Sequence, residues 1–188
     1  MNIKDDIGES IANYVEDLFF QYNKSANWQE YFLGATISHC NTCASRCYKI
    51  FAVTDMIKLP EHAGCKCYLQ ALRSISVGLA TKKGNDGVDF WLKHYGMPPQ
   101  YYISKEDAVA LGWKPWLGNL NEVLPNKMIG GNIFHNRENR LPSKDGRIWY
   151  EFDIDYNGGF RNNNRIICSS DGLIFKTDCH YTRFIAVE

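Results

Sequence analysis

Past Pro125 the chain changes its period. Five segments, MIGGNIF, RIWYEFDI, NRIICSS, GLIFKT and RFIAV, alternate in hydropathy and are separated by Gly, Asn, Asp and Ser clusters. Alternation at spacing two suits strands, because successive side chains point to opposite faces. Upstream the spacing is helical. Val88, Trp91, Leu92 and Tyr95 share one face of a helix over 85–95, with Asp86 near its start and Met97-Pro98-Pro99 as its stop. Ser104 caps a short helix, SKEDAVALG, with Asp107 three residues on as a variant capping box and Gly112 as the exit. A third short helix covers 119–124. Helices first and strands afterwards predict an α+β fold, with N-terminal helices packed on a five-stranded antiparallel sheet.

At 188 residues, 45% apolar and 14% aromatic, the chain can bury one large core or two small ones. Residues 74–87 lose aromatics and gain Gly, Ser, Thr and Lys, which places a linker at 76–84. The expected division is therefore a module over 1–75 and a second domain over 85–188. The module reads as small and mainly helical. Ile7, Ile11, Tyr14, Val15, Leu18, Phe19 and Tyr22 recur at three- and four-residue spacing over 4–23, a second helical piece covers 28–33, and Tyr48 to Val53 suits a strand.

Five of the seven cysteines, Cys40, Cys43, Cys47, Cys65 and Cys67, fall within this module. A Cys-x-x-Cys followed by His-x-x-Cys-x-Cys has metal-ligand spacing, since two turns each supplying a pair of ligands can close a tetrahedron. The expected structural zinc ligands are Cys40, Cys43, Cys65 and Cys67, with His62 and Cys47 competing. Disulfides in an exported protein, or thiols in a small core, are the alternatives.

Basic and acidic residues balance at 21 each, so overall charge gives no push toward nucleic acid, and local clusters must do so. The chain has no apolar run of membrane-spanning length, and its first residues, MNIKDDIGES, lack the basic and apolar pattern of a signal peptide. No membrane association is expected.

The chemistry gathers between Ile129 and Asn164 and just beyond. Glu151, Arg161, Arg165 and, further on, His180 are the groups that phosphodiester cleavage needs. One takes a proton, one gives a proton, and fixed cations hold the charge that grows on phosphorus. Singly, each has a plainer reading: a structural histidine, a solvated strand glutamate, two arginines flanking an asparagine-rich turn. Their joint occurrence carries the functional one.

Two resemblances sharpen these readings. Cys40-x-x-Cys43 followed by LPEHAGCKC (59–67) resembles the C-terminal part of phage minor head (Mu F-like) proteins, a segment that also precedes toxin domains. This implies a pre-toxin or delivery module over roughly thirty residues. The stretch from about Asp86 onward resembles the barnase and binase family of bacterial ribonucleases. The likeness is carried by YYISKEDAVALGW, GNL, IGGNIF with NRE, GFRN, SSD and the His180-Tyr181 pair.

That second resemblance implies a microbial ribonuclease fold, and an endoribonuclease that cleaves single-stranded RNA after guanine through a 2′,3′-cyclic phosphate without a cofactor. Carried over by position, Glu151 is the general base and His180 the general acid. Lys105, Arg161 and Arg165 surround the phosphate. Phe134, His135, Asn136, Arg137 and Glu138 form the base-binding loop, Phe160 and Tyr181 line the cleft, and Asp153 is the buried partner of the arginines. Asn132 stands where the family has an aspartate beside the lysine and glutamate. His135 replaces a serine, and Gly172 a tryptophan. Cys168 and Cys179 lie outside the family pattern; free thiols are expected there, with a disulfide between them as the alternative. The expected partners are RNA and an acidic, barstar-like immunity protein. The expected setting is secretion, or delivery into target cells as part of a larger protein.

Overall fold

The computed structural model describes residues 32–36, 49–51, 63 and 67–188. Ten strands and three α-helices are found among them. Strands β1 (Phe32–Thr36), β2 (Ile50–Phe51) and β3 (Cys67–Ala71) form a small antiparallel sheet in the order β2-β1-β3. The module was expected to be mainly helical, and its described part is instead a sheet. Phe32 and Leu33, read as the end of a helix, begin β1. A five-residue stretch that includes Gly34 and Thr36 carries too little periodicity for a helix, and pairing with β3 decides the matter. The helix expected over 4–23 and Cys40, Cys43 and Cys65 lie outside the described residues. Of Cys67 only the main chain in β3 is described.

A seven-stranded mixed sheet forms the rest, in the order β4-β10-β9-β8-β7-β6-β5. Its centre comprises β6 (Met128–Ile133), β7 (Trp149–Asp153), β8 (Arg165–Ser169), β9 (Ile174–Thr177) and β10 (Ile185–Val187), all antiparallel. These coincide with the five alternating segments. Two short strands, β4 (Ser74–Ile75) and β5 (Tyr102–Ile103), extend the edges in parallel, so the sheet is mixed and not the purely antiparallel one expected.

Helix α1 (Val88–Tyr95) packs one sheet face. Val88 and Leu92 meet Tyr150, Phe152 and Ile154 of the β7 segment and Ile166 and Cys168 of β8 in one buried cluster. Helix α2 (Lys105–Ala110) begins as the sequence suggests: the Ser104 hydroxyl accepts from the Asp107 N–H at 3.0 Å. The Asp107 carboxylate then accepts from the Ser104 hydroxyl, where a full capping box would bond the backbone. Helix α3 (Leu120–Val123) and α2 enclose a third cluster with Trp113 and Ile129.

The segment read as a linker is docked on the domain. Val77 donates to the Glu188 carbonyl at 2.7 Å, and Ala80 is fully buried. Gly78 and Ala80 donate their N–H groups to the buried Asp89 carboxylate at 2.8 and 3.1 Å. Gly78 and Ala80 here lend their backbone N–H groups to a carboxylate, so the segment is not slack.

Candidate active site

Strand pleat decides where the charged groups go. On β7, Tyr150 and Phe152 face α1, so Trp149, Glu151 and Asp153 must share the opposite face. On β8, Ile166 and Cys168 face α1, which puts Arg165 and Ile167 opposite. Register then sets Asp153 across from Arg165 and Glu151 across from Ile167. An apolar cluster of Leu141, Trp149, Ile167, Phe175 and Phe184 floors one end of that face, and the charged groups occupy the other.

A bulge in β6 brings in the next residue. The register shifts between Gly130 and Asn132, leaving Gly131 at φ +84°, a conformation that favours glycine. Gly130 meets the Tyr102 and Phe152 rings so closely that a Cβ there would overlap both. Past the bulge, Asn132 pairs with Glu151 across the strands. Its Oδ1 accepts from the Lys105 N–H at 3.0 Å and its Nδ2 donates to Glu106 at 2.6 Å, so it pins the start of α2 to the sheet.

Glu151 is 7% exposed and holds two partners. The Lys105 ammonium pairs with Oε1, and the Tyr181 hydroxyl donates to Oε2 at 2.5 Å. Burial alone would raise the carboxyl pKa. The bonds from Lys105 and Tyr181, with the charges of Lys105 and Arg161, outweigh it and hold Glu151 below the usual carboxylate range. Tyr181 shifts the opposite way, as burial and the Glu151 charge push its hydroxyl well up. The two partners agree in sign: ionised carboxylate, protonated phenol.

Asp153 organises the arginines. Arg161 bonds it through Nε and Nη2, both at 2.6 Å, a two-pronged pair that fixes the guanidinium plane. For Arg161, burial opposes the charge, and Asp153 and Glu151 more than restore it. Arg165, 4% exposed, lies with Nε 2.9 Å from Asp153 Oδ1. That N–H is not aimed at the carboxylate, and among the described residues it is a buried donor without a hydrogen bond. Its Nη1 donates to the carbonyls of Asn162 and Asn164 at 2.7 and 2.6 Å. Asn162 thus orients Arg165 from a turn whose asparagines read as an ordinary surface loop in the sequence.

His180 and Tyr181 close the site from the turn between β9 and β10. Both have left-handed backbones, at φ +52° and +67°. Two such residues in a row are strained, and strain of this kind concentrates at working sites. The Thr177 hydroxyl accepts from the Tyr181 N–H at 3.2 Å and fixes the turn. His180 is exposed, its ring 4.9 Å from that of Tyr181.

The residues expected to bind the base fall into two groups. Phe134 packs on Tyr181 at 4.9 Å, and Asn136 closes a turn by exchanging two side-chain bonds with the backbone of Leu141. His135, Arg137 and Glu138 are exposed around them, and Phe160 projects at 69% exposure beside Arg161. One further residue of this loop, Arg140, was not singled out in the sequence. It bonds Glu138 and the Thr182 carbonyl, and no periodicity or spacing marks it. Among the described residues no group of three or more His, Cys, Asp or Glu side chains could hold a metal ion. Cys168 and Cys179 are both free thiols.

The arrangement thus sets an ionised carboxylate, three cations and an exposed histidine along one face. Comparison with known proteins points the same way. The family profile described as ribonuclease matches residues 94–188. A ribonuclease of Heyndrickxia coagulans is 53% identical over 103 residues, covering 55% of this chain and 94% of its own length. Ribonucleases of Bacillus intermedius and Bacillus pumilus show the same identity over the same span, and there the match covers 64% of their length.

Proposed function

The chain belongs to the ribonuclease family, and from that premise we propose that it is an endoribonuclease acting on single-stranded RNA after guanine. RNA carries its own nucleophile. Glu151 takes the proton of the 2′-hydroxyl as that oxygen attacks phosphorus, and His180 gives a proton to the departing 5′-oxygen. The phosphorus–oxygen bond to the 2′-position forms as the bond to the 5′-oxygen breaks, leaving a 2′,3′-cyclic phosphate. Water then opens the ring with the two roles exchanged. Lys105, Arg161 and Arg165 hold the extra negative charge of the pentavalent state, which is greater than that of the ground state. These cations supply the charge that a cofactor would otherwise bring.

The observation that carries the reading is the state of Glu151. It is a buried carboxylate kept ionised by Lys105 and Tyr181, beside arginines braced by Asp153. Phe134, Asn136, Arg137 and Glu138 with His135 supply the base site, and Phe160 flanks it.

In its biological setting the chain acts as a toxin domain, secreted or delivered into target cells as part of a larger protein, and restrained by an acidic, barstar-like immunity protein. An unrestrained ribonuclease degrades the RNA of the cell that makes it. A partner presenting carboxylates where the phosphate would sit gains both steering and charge pairs with Lys105, Arg161 and Arg165. Expression in a sensitive cell tests this. Growth arrest by the wild-type chain, relieved by Glu151→Ala and by His180→Ala, is the expected result. A harmless wild-type chain whose purified protein still cleaves RNA would remove the toxin role and leave the chemistry standing.

A further inference from the structure

Ile50 lies outside the residues that match the family, yet it reaches the base-binding loop. It is 3% exposed and shares an apolar cluster with Leu141, Trp149 and Phe184, on which Phe134 and Tyr181 also rest. Its N–H donates to the Arg140 carbonyl at 2.8 Å. Arg140 in turn donates through Nη1 to the Thr182 carbonyl at 2.8 Å, two residues past His180, and through Nε to Glu138. One arginine therefore ties loop 134–141 to the turn that carries His180, and β2 holds that arginine from behind.

We propose that Arg140, seated by Ile50, is a positioning residue that sets base preference, so that the segment upstream of the catalytic domain forms part of its specificity apparatus. The inference rests on the base-selective ribonuclease reading above. Residues 134–140 belong to no helix or strand, and two of them, Asn136 and Asn139, are left-handed at φ +44° and +49°. The shape of such a loop depends on its pins, since regular backbone bonding does not hold it. Asn136 pins it locally through Leu141. Arg140 fixes its distance from the acid, and a misplacement of about 1 Å between such groups costs on the order of a hundredfold in rate.

The test is a ratio. Full-length chain is assayed on two dinucleotides that differ only in guanine or adenine 5′ to the scissile phosphate, and the two values of kcat/KM are divided. Loss of folded protein cancels in that quotient, so a merely structural role does not move it. Arg140→Ala and Ile50→Asp are expected to lower the guanine preference about tenfold or more, with Arg140→Lys intermediate because one ammonium reaches one partner. An unchanged ratio in Arg140→Ala overturns the positioning role. A changed ratio there with none in Ile50→Asp overturns the part given to the upstream segment. Failure of the wild-type chain to cleave either dinucleotide, or RNA, defeats the ribonuclease reading instead.

Discussion

The Tyr181 hydroxyl donates to Oε2 of Glu151 at 2.5 Å, so a phenol from the turn that carries His180 helps keep Glu151 ionised. Because the folded pKa of Glu151 is depressed, its contribution to stability is present above the unfolded value. That contribution is lost as pH falls through the lower folded value. On the proposed mechanism the same group sets the acid limb of kcat/KM. Tyr181→Phe removes one charge-assisted bond, worth about 1.5–3 kcal/mol. The acid limb is expected to rise by about one to two pH units. A pH–rate profile checks this, and an unmoved limb would show that the bond does not set the carboxyl.

Asn132→Asp tests the same carboxylate from the other side. Asn132 sits opposite Glu151 in the strand register and bonds Glu106. An aspartate there sets like charges beside both. The acid limb is expected to move upward through like-charge repulsion, with stability lower by about 1 kcal/mol where the bond to Glu106 becomes a repulsion. Thermal melts and the same pH profile measure the two effects together.

Asp153 is 1% exposed and lies within 2.9 Å of nitrogens from two arginines. Truncating it leaves Arg165 buried and unpaired and lets Arg161 swing. Asp153→Ala is expected to cost about 3–5 kcal/mol, the usual penalty for breaking a buried pair from one side. Denaturant melts read it directly. A loss below about 1 kcal/mol would mean that the arginines find other partners.

Trimming the chain to begin at Lys83 follows from reading 76–84 as a linker, and on that reading stability and RNase activity should be indifferent to the cut. The packing says otherwise. The cut removes β4, buried Ala80 and the donors from Gly78, Ala80 and Thr81 to Asp89. A fully buried carboxylate is then left without them. The trimmed chain is expected to melt earlier by a few kcal/mol of stability, partly recovered by Asp89→Asn. Equal melting of the two chains would restore the linker reading.

Periodic segments were legible because burial on one face writes itself into the sequence. The five central strands and the helix capped by Ser104 show this. Two-residue strands such as β4 and β5 have no period to read, and their pairing comes from the neighbour they meet. Docking of 74–80 was hidden for a related reason. Its work is done by backbone N–H groups, which composition does not reveal. The charged set Glu151, Arg161, Arg165 and His180 could be named as residue types, and the pleat then explains how Glu151 and Asp153 come to share a face with Arg165. Arg140 and Asn162 act through hydrogen bonds made within loops, and no spacing rule points to such residues.

The most direct measurement is the product of RNA cleavage in excess EDTA. Incubating the full chain with a single-stranded oligonucleotide and resolving the fragments by mass is expected to show a 2′,3′-cyclic phosphate that decays to a 3′-phosphate. Glu151→Ala should slow its formation on the order of 10²–10⁴-fold. Cleavage that appears only on addition of a divalent metal, or fragments that never carry the cyclic phosphate, would contradict proton transfer by Glu151 and His180 as the chemistry of this site.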